Sequence, residues 1–552
     1  MGIGMLLDMA GSAHPDRVAV GSLREDGPVP LTYADLARVA AGGAEVLHDA
    51  KARHVVHVGV NGPLFPALLF ASAHAGLPIT PLNYRLSPAQ LTDLVGDLDG
   101  AVVVADAAYL DALSGCPAPV VAGQEWMAAA ATAGAGRTSP SREDDDAPAV
   151  VLFTSGTTSR PKGVVLRHSH LVGYVLQTVD FAAADESDAI LVSVPPYHIA
   201  GIGSVLSNVY AGRRMVHLPD FDAARWLDLV RSEAVTQAML VPTMLSRIVD
   251  HLDDCADGRD AGAPSLRSVA YGGARMPETV LARALAAFPD AGFTNAYGLT
   301  ETSSTIAVLG PEDHRAALAA TDPAVRARLG SAGRFVPGVE GQVRGGELWV
   351  RGPQVSGEYL GSGSTLDEFG WFPTRDRARI DAEGYLFIEG RADDTIIRGG
   401  ENIAPAEIED VLIHHPAVRE VAVVGTPDEQ WGQRITAAVV PAVAGTAAGT
   451  TTGTAAADSE LAEELRSFVR ARLRGSRTPD EVVFREALPY TATGKLLRRQ
   501  LAAELTGGPV GEPDREPGGA PDAEPDGELT QPAAESASLP DVAAPNTAAT
   551  TP

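Results

Sequence analysis

The sequence predicts an α/β protein built around parallel sheet, and three observations carry the prediction. Residues 1–148 alternate short apolar runs with longer helical ones: 55–60 and 101–105 read as buried strands, with helical patterns at 64–74 and 88–98 between them. A further apolar run, 149–153, opens directly into the polar loop Thr154-Ser155-Gly156-Thr157-Thr158-Ser159-Arg160-Pro161-Lys162-Gly163. Later strand-like runs, 189–196 and 268–274, close in a Pro-Pro pair and in Gly272-Gly273-Ala274. In α/β folds ligands gather at such carboxyl ends of strands.

The remaining elements follow in order. Residues 31–36 read as a helix start, with Thr32 as cap and Asp35 at the third helical position. From Gly346 the pattern turns to short strands and turns. A helix begins at Pro405 and stops before Pro416. His414 and His415 at its end do not make a metal site, because adjacent helical residues face different ways. Residues 421–425 and 436–440 read as strands, 442–457 as a flexible Gly/Thr/Ala insertion, and 496–505 as a last helix. Residues 506–552 hold nine acidic residues, one arginine and no aromatic, a composition that cannot bury a core and reads as a disordered acidic tail.

At 552 residues, 45% hydrophobic and 21% charged, the chain can hold two or more domains of ordinary soluble composition. Its two cysteines, Cys116 and Cys255, have no metal-ligand spacing, which fits a reducing cytoplasm. No signal peptide, myristoylation pattern or uninterrupted stretch of membrane-spanning length is readable. A net charge of −28 argues against a nucleic-acid partner and requires that any anionic ligand be drawn by local cations and backbone dipoles.

The loop at 154–163 supplies hydroxyls, glycines and a lysine after a strand, a combination suited to phosphate. It is not a Walker A loop, because glycine rather than Ser or Thr follows the lysine. The order T-S-G-T-T-x-x-P-K-G instead resembles the signature of the adenylate-forming superfamily, which contains acyl-CoA synthetases, peptide-synthetase adenylation domains and beetle luciferases. Asn295-Ala296-Tyr297-Gly298-Leu299-Thr300-Glu301, residues 384–394, residues 397–409 and residues 488–495 match that superfamily in the same order, and the resemblance spans roughly residues 5–505.

The resemblance implies a large N-terminal domain, 1–392, with doubly wound sheets and a β-rich subdomain. A small mobile α+β domain, 393–505, would follow. It makes Thr154, Ser155, Gly156, Thr157, Thr158, Lys162 and Gly163 the phosphate loop, and Gly272, Gly273 and Ala274 the wall between nucleotide and acyl group. Asn295, Tyr297 and Gly298 would hold the nucleotide, with Tyr297 stacked on adenine, Thr300 on phosphate and Glu301 on Mg²⁺. Asp376 would accept the ribose hydroxyls and Arg391 contact ribose or phosphate; Asp393 would be the hinge, Gly399 and Gly400 would pass the pantetheine arm, and Lys495 would be catalytic. His198 would border the acyl pocket. The small Ala200, Gly201 and Gly203 would leave room for a bulky or long acid.

The implied activity is an acyl-CoA ligase of the fatty-acid or aryl type: a carboxylic acid attacks ATP, and the acyl-adenylate passes its acyl group to coenzyme A, releasing AMP. Two positions depart from the superfamily pattern. Ser159 stands where a third glycine is usual, which leaves open an enzyme impaired in adenylation that performs mainly thioester formation. Arg375 stands in the middle of the usual Thr-Gly-Asp. A stand-alone adenylation domain loading a carrier protein is the other alternative, against which the Gly399-Gly400-Glu401-Asn402 stretch favours free CoA. The expected partners are the acid, ATP and CoA, with homodimer formation left open.

Overall fold

The computed structural model describes residues 1–24, 29–135, 144–154, 161–254, 263–398, 400–428, 430–442, 455–473, 475–491 and 496–506, and the statements below concern these. The acidic tail and most of the Gly/Thr/Ala insertion lie outside them.

Among the described residues, two large sheets form the α/β body. One runs Gly363–Ser364, Glu358–Tyr359, Lys162–Arg167, Pro148–Thr154, Ile79–Pro81, His54–Val58, Ala101–Ala105 and Val120–Ala122. Its strands from Pro148–Thr154 outward pair in parallel, whereas Lys162–Arg167 returns antiparallel beside Pro148–Thr154. The other sheet is centred on parallel strands Arg214–His217, Ala189–Val192, Gln237–Leu240, Ser268–Gly272 and Gly292–Leu299, with Ser304–Leu309 antiparallel at one side. A four-stranded antiparallel sheet follows, Glu340–Arg344, Glu347–Arg351, Phe372–Ile380 and Leu386–Arg391. From Ile396 on, a two-stranded hairpin, a three-stranded sheet and flanking helices enclose a core of their own around Ile396, Ile408, Leu412, Val423, Ile435, Leu465 and Val469.

Local chemistry explains several boundaries. Thr32 and Asp35 form the expected capping box at the head of helix Tyr33–Asp49: Asp35 N–H donates to Thr32 Oγ1 at 3.0 Å, and Thr32 N–H donates back to Asp35 Oδ2 at 3.2 Å. The strand predicted over 55–60 stops at Val58, because Val60 N–H turns to Asp106 Oδ2 at 2.9 Å instead of joining a ladder. The strand predicted over 189–196 stops at Val192, short of Pro195 and Pro196, which have no N–H to give. His415, set aside as a metal ligand, is buried edge-on against Phe468, with ring centroids 4.8 Å apart.

Helix Tyr33–Asp49 carries Gly42 and Gly43 in its interior, where each costs about 1 kcal/mol relative to alanine. Packing explains them: a Cβ on Gly42 would lie 2.0 Å from the Ala130 carbonyl oxygen, and one on Gly43 would lie 2.7 Å from the Trp126 ring. The two glycines therefore let helix Gly123–Ala133 lie directly on this helix, burying Trp126. Gly42→Ala should destabilise the protein by about 1–3 kcal/mol despite the better helix propensity of alanine. Thermal or denaturant unfolding of the variant checks this; an unchanged or higher midpoint would contradict the packing account.

Candidate active site

The phosphate-loop candidate joins two paired strands. Thr154 lies opposite Lys162 in the antiparallel ladder, and Thr154 Oγ1 donates to the Lys162 carbonyl at 3.4 Å. Ser155, Gly156, Thr157, Thr158 and Ser159 lie outside the described residues. Lys162 is exposed, its Nζ 5.8 Å from the centroid of the Tyr359 ring. Gly163 admits the chain that carries that ring: its carbonyl accepts Leu360 N–H at 2.7 Å, and a Cβ there would meet Val151 at 3.1 Å and Leu360 at 3.3 Å.

At the carboxyl ends of the second sheet stand Gly272, Gly273 and Ala274. Gly272 is required by its neighbour strand, since a Cβ would lie 2.3 Å from the Ala296 carbonyl oxygen; Gly273 has φ +84°. On the adjacent strand Asn295 Nδ2 donates to the Ser331 carbonyl at 3.0 Å. Tyr297 donates its hydroxyl to Asp376 Oδ2 at 2.5 Å. Burial first, and then the Asp376 charge, push the Tyr297 hydroxyl well above its ordinary pKa, so it remains a donor.

The chain then makes a tight corner. A Cβ on Gly298 would lie 1.7 Å from the Ser304 carbonyl oxygen, and Thr300–Thr302 form one 3₁₀ turn. Ser303 and Ser304 follow with φ of 53° and 98°, two consecutive non-glycine residues in left-handed backbone. Thr302 Oγ1 caps Leu299 N–H at 2.9 Å, and Gln354 Nε2 donates to the carbonyls of Thr302 and Thr305 at 3.2 and 2.7 Å. This corner holds Thr300 and Glu301 at the strand end. The Glu301 carbonyl accepts Ser356 N–H at 2.8 Å, and Glu301 Oε1 accepts the Tyr359 hydroxyl at 2.8 Å. Burial and the Glu301 charge raise the Tyr359 pKa, which again preserves the donor. Tyr359 was not singled out in the sequence; the signal available was one aromatic in a Gly-Glu-Tyr-Leu-Gly turn, which does not reveal its partner.

Asp376 is 3% exposed and sits on strand Phe372–Ile380. Besides Tyr297 it accepts from Arg391 Nη1 at 2.9 Å, and Arg391 Nη1 also reaches the Thr374 carbonyl at 3.2 Å. Burial alone would lower the Arg391 pKa; the Asp376 carboxylate overrides this and holds the guanidinium charged. Asp393 and Asp394 follow in a 3₁₀ turn: Asp393 Oδ2 lies 3.9 Å from Arg375, and Asp394 Oδ2 lies 3.6 Å from Arg498 Nε.

Beyond that turn, Gly400 has φ +85° and closes the hairpin between strands Ile396–Arg398 and Glu401–Ile403; Gly399 lies outside the described residues. Lys495 also lies outside them. The helix just after it is anchored by Arg498, which makes a two-pronged contact to Glu409 at 2.5 and 2.8 Å and donates to the Val423 carbonyl at 2.8 Å. A link to the large-sheet region joins Arg275 to Asp410 at 2.6 Å.

His198 caps helix Ile199–Ala211, its Nδ1 accepting Ala200 N–H at 3.3 Å. Packing accounts for two of the small residues beside it. A Cβ on Gly201 would lie 2.4 Å from the Pro195 carbonyl oxygen, and one on Gly203 would lie 3.2 Å from the Tyr174 ring. Protein atoms fill both gaps, so neither glycine speaks for a bulky acid.

The contacts above thus link Tyr297, Asp376 and Arg391 in one set, and Lys162, Tyr359 and Glu301 in another. Residues 7–360 match the family model described as AMP-binding enzyme, and residues 407–495 match that of the AMP-binding enzyme C-terminal domain. The chain is 30% identical over 534 residues to the indoleacetate–CoA ligase of Aromatoleum aromaticum, covering 91% of this chain and 98% of that protein. It is 31% identical to the fatty acid–[acyl-carrier-protein] ligase ScoC of Streptomyces coeruleorubidus, covering 85% and 91%. Among solved structures, o-succinylbenzoate CoA synthetase (MenE) from Bacillus subtilis in complex with the acyl-adenylate intermediate OSB-AMP superposes with a TM-score of 0.73 at 26% identity, covering 90% of this chain and 97% of that one. The chain belongs to the AMP-binding enzyme family.

Proposed function

We propose that this protein is an AMP-forming acyl-CoA ligase acting on carboxylic acids. The observation that carries the reading is two linked sets, Tyr297–Asp376–Arg391 and Glu301–Tyr359, the second in contact with Lys162 of the phosphate-loop candidate. A carboxylate is a poor acyl donor because its leaving group would be oxide. Attack of its oxygen on the α-phosphate of ATP forms a new P–O bond, expels pyrophosphate and leaves a mixed anhydride. The CoA thiolate then attacks the acyl carbon, and AMP departs with the electron pair of the broken bond.

In this reading Asp376 receives the ribose hydroxyls, Tyr297 flanks the base, and Arg391 and Lys162 face the phosphates. Thr300, Gly272, Gly273, Ala274, Asn295 and Gly298 shape the nucleotide's surroundings, and His198 borders the acyl group. Glu301 is suited to a hard cation: a carboxylate has lone pairs beyond the one that Tyr359 occupies, and Mg²⁺ is commonly held by one carboxylate together with substrate phosphates and water. When bound, Mg²⁺ would neutralise charge on the transferring phosphates.

The reading extends to two lobes, 1–392 and 393–505, that alternate about Asp393. One arrangement would place Lys495 at the site for adenylation and the other would bring Gly399 and Gly400 there for thioester formation. Among the relatives, the indoleacetate ligase and the o-succinylbenzoate enzyme are named for aryl acids, which supports an aryl or arylalkyl acid as substrate. ScoC is named for an acyl-carrier protein, so the acceptor is the point to test.

Incubation with ATP, Mg²⁺ and a panel of arylacetic, hydroxycinnamic, benzoic and fatty acids, with CoA or a phosphopantetheinyl carrier protein as acceptor, should yield AMP, pyrophosphate and the thioester of an aryl-type acid with CoA. Transfer to the carrier alone would replace this reading by the carrier-loading one. Glu301→Gln should slow adenylation by at least about 100-fold, as for loss of a charge-stabilising group. Tyr359→Phe should slow it by about 5- to 10-fold, the worth of one orienting hydrogen bond. Single-turnover rates check both; equal, small effects would remove Glu301 from the reaction.

A further inference from the structure

Arg375 is the residue of this neighbourhood that the proposed reading leaves without a task. It sits between Thr374 and Asp376, which are 2% and 3% exposed, while its own side chain is 59% exposed. Its φ is 60°, left-handed backbone in which a Cβ is strained and glycine is not. The backbone is fixed there by the Arg375 N–H, which donates to Glu347 Oε1 at 3.0 Å. The position would thus be more comfortable as glycine, the residue of the usual Thr-Gly-Asp pattern, and what arginine adds is a long cationic arm.

The direction of that arm is defined. Arg375 Nη1 lies 3.9 Å from Asp393 Oδ2, so the guanidinium reaches across the end of strand Leu386–Arg391 to the turn that follows it. The pair runs beside Asp376–Arg391 with the opposite polarity. The Arg375 charge also acts, together with that of Arg391, on the Tyr359 hydroxyl that donates to Glu301. Arg375 therefore stands next to Asp376 in the chain and reaches Asp393, with its charge open to solvent. At 3.9 Å and half exposure, its pairing with Asp393 is weak and easily exchanged for a stronger anion. A phosphate offers a planar guanidinium a two-pronged contact. In a chain of net charge −28, one added local cation has a large effect on capture of an anionic nucleotide.

We infer that Arg375 is a nucleotide-binding residue, its guanidinium contacting the polyphosphate of ATP from the strand that carries Asp376. The inference rests on the ligase reading and deepens it. Equilibrium titration of the full chain and of Arg375→Gly and Arg375→Lys with Mg-ATP, and separately with uncharged adenosine, tests it. Arg375→Gly should bind ATP roughly 5- to 20-fold more weakly, with adenosine affinity unchanged, a flatter dependence of ATP affinity on salt, and a melting temperature equal to or above that of the wild type. Arg375→Lys should fall between the two. ATP affinity within twofold of wild type in Arg375→Gly, or an equal loss for adenosine, would overturn the inference. Failure of the wild type itself to bind ATP would overturn the ligase reading beneath it.

Discussion

The buried carboxylate of Asp376 is the constraint on which the site depends. A charge with 3% of its residue surface exposed is expensive to desolvate unless it is paired and hydrogen-bonded, and here two partners meet that requirement. Tyr297 comes from a central strand of one large sheet; Arg391 comes from the last strand before the Ala392–Asp394 turn. One carboxylate therefore ties the paired strands Phe372–Ile380 and Leu386–Arg391 to strand Gly292–Leu299 of the second large sheet. Removing either partner would take one hydrogen bond from the buried carboxylate. The same carboxylate has the chemistry to accept vicinal hydroxyls.

Backbone proximity is the second theme. A Cβ on Gly272 or Gly298 would collide with a neighbouring strand, and one on Gly163 would crowd Val151 and Leu360. Their motif positions are thus explained by chain packing at the strand ends as much as by ligand approach. The strained pair Ser303–Ser304 belongs with them: it turns the chain sharply after Thr300–Thr302 and is held by Gln354 from below, so that Glu301 projects beside Tyr359. Strain of this kind persists only where the surroundings over-determine it.

Much of this was legible in the sequence. Strand–loop alternation gave the parallel sheets, because buried strands read as unbroken apolar runs, and the capping box at Thr32 and Asp35 followed from local rules. Strand ends were less legible where a distant side chain intervened, as Asp106 does at Val60. Gly201 and Gly203 misled for the same reason: their neighbours, Pro195 and Tyr174, are visible only in three dimensions. The partnerships of Tyr359 with Glu301 and of Arg498 with Glu409 join residues 58 and 89 positions apart, which no periodicity can reveal. Arg375 stood out only as a departure from pattern; its left-handed backbone and its reach toward Asp393 give that departure a physical meaning.

The measurement closest to the central claim is carboxylate-dependent exchange of labelled pyrophosphate into ATP, without CoA, for the wild type and Asp376→Asn at matched folding. The account predicts exchange with an aryl-type acid in the wild type and a loss of about 100-fold or more in Asp376→Asn, whose Arg391 and Tyr297 would then face a neutral amide. Equal exchange in both proteins would contradict the role given to Asp376. Absence of exchange with every acid, alongside thioester formation from a synthetic acyl-adenylate and CoA, would show that this chain lacks the first half-reaction.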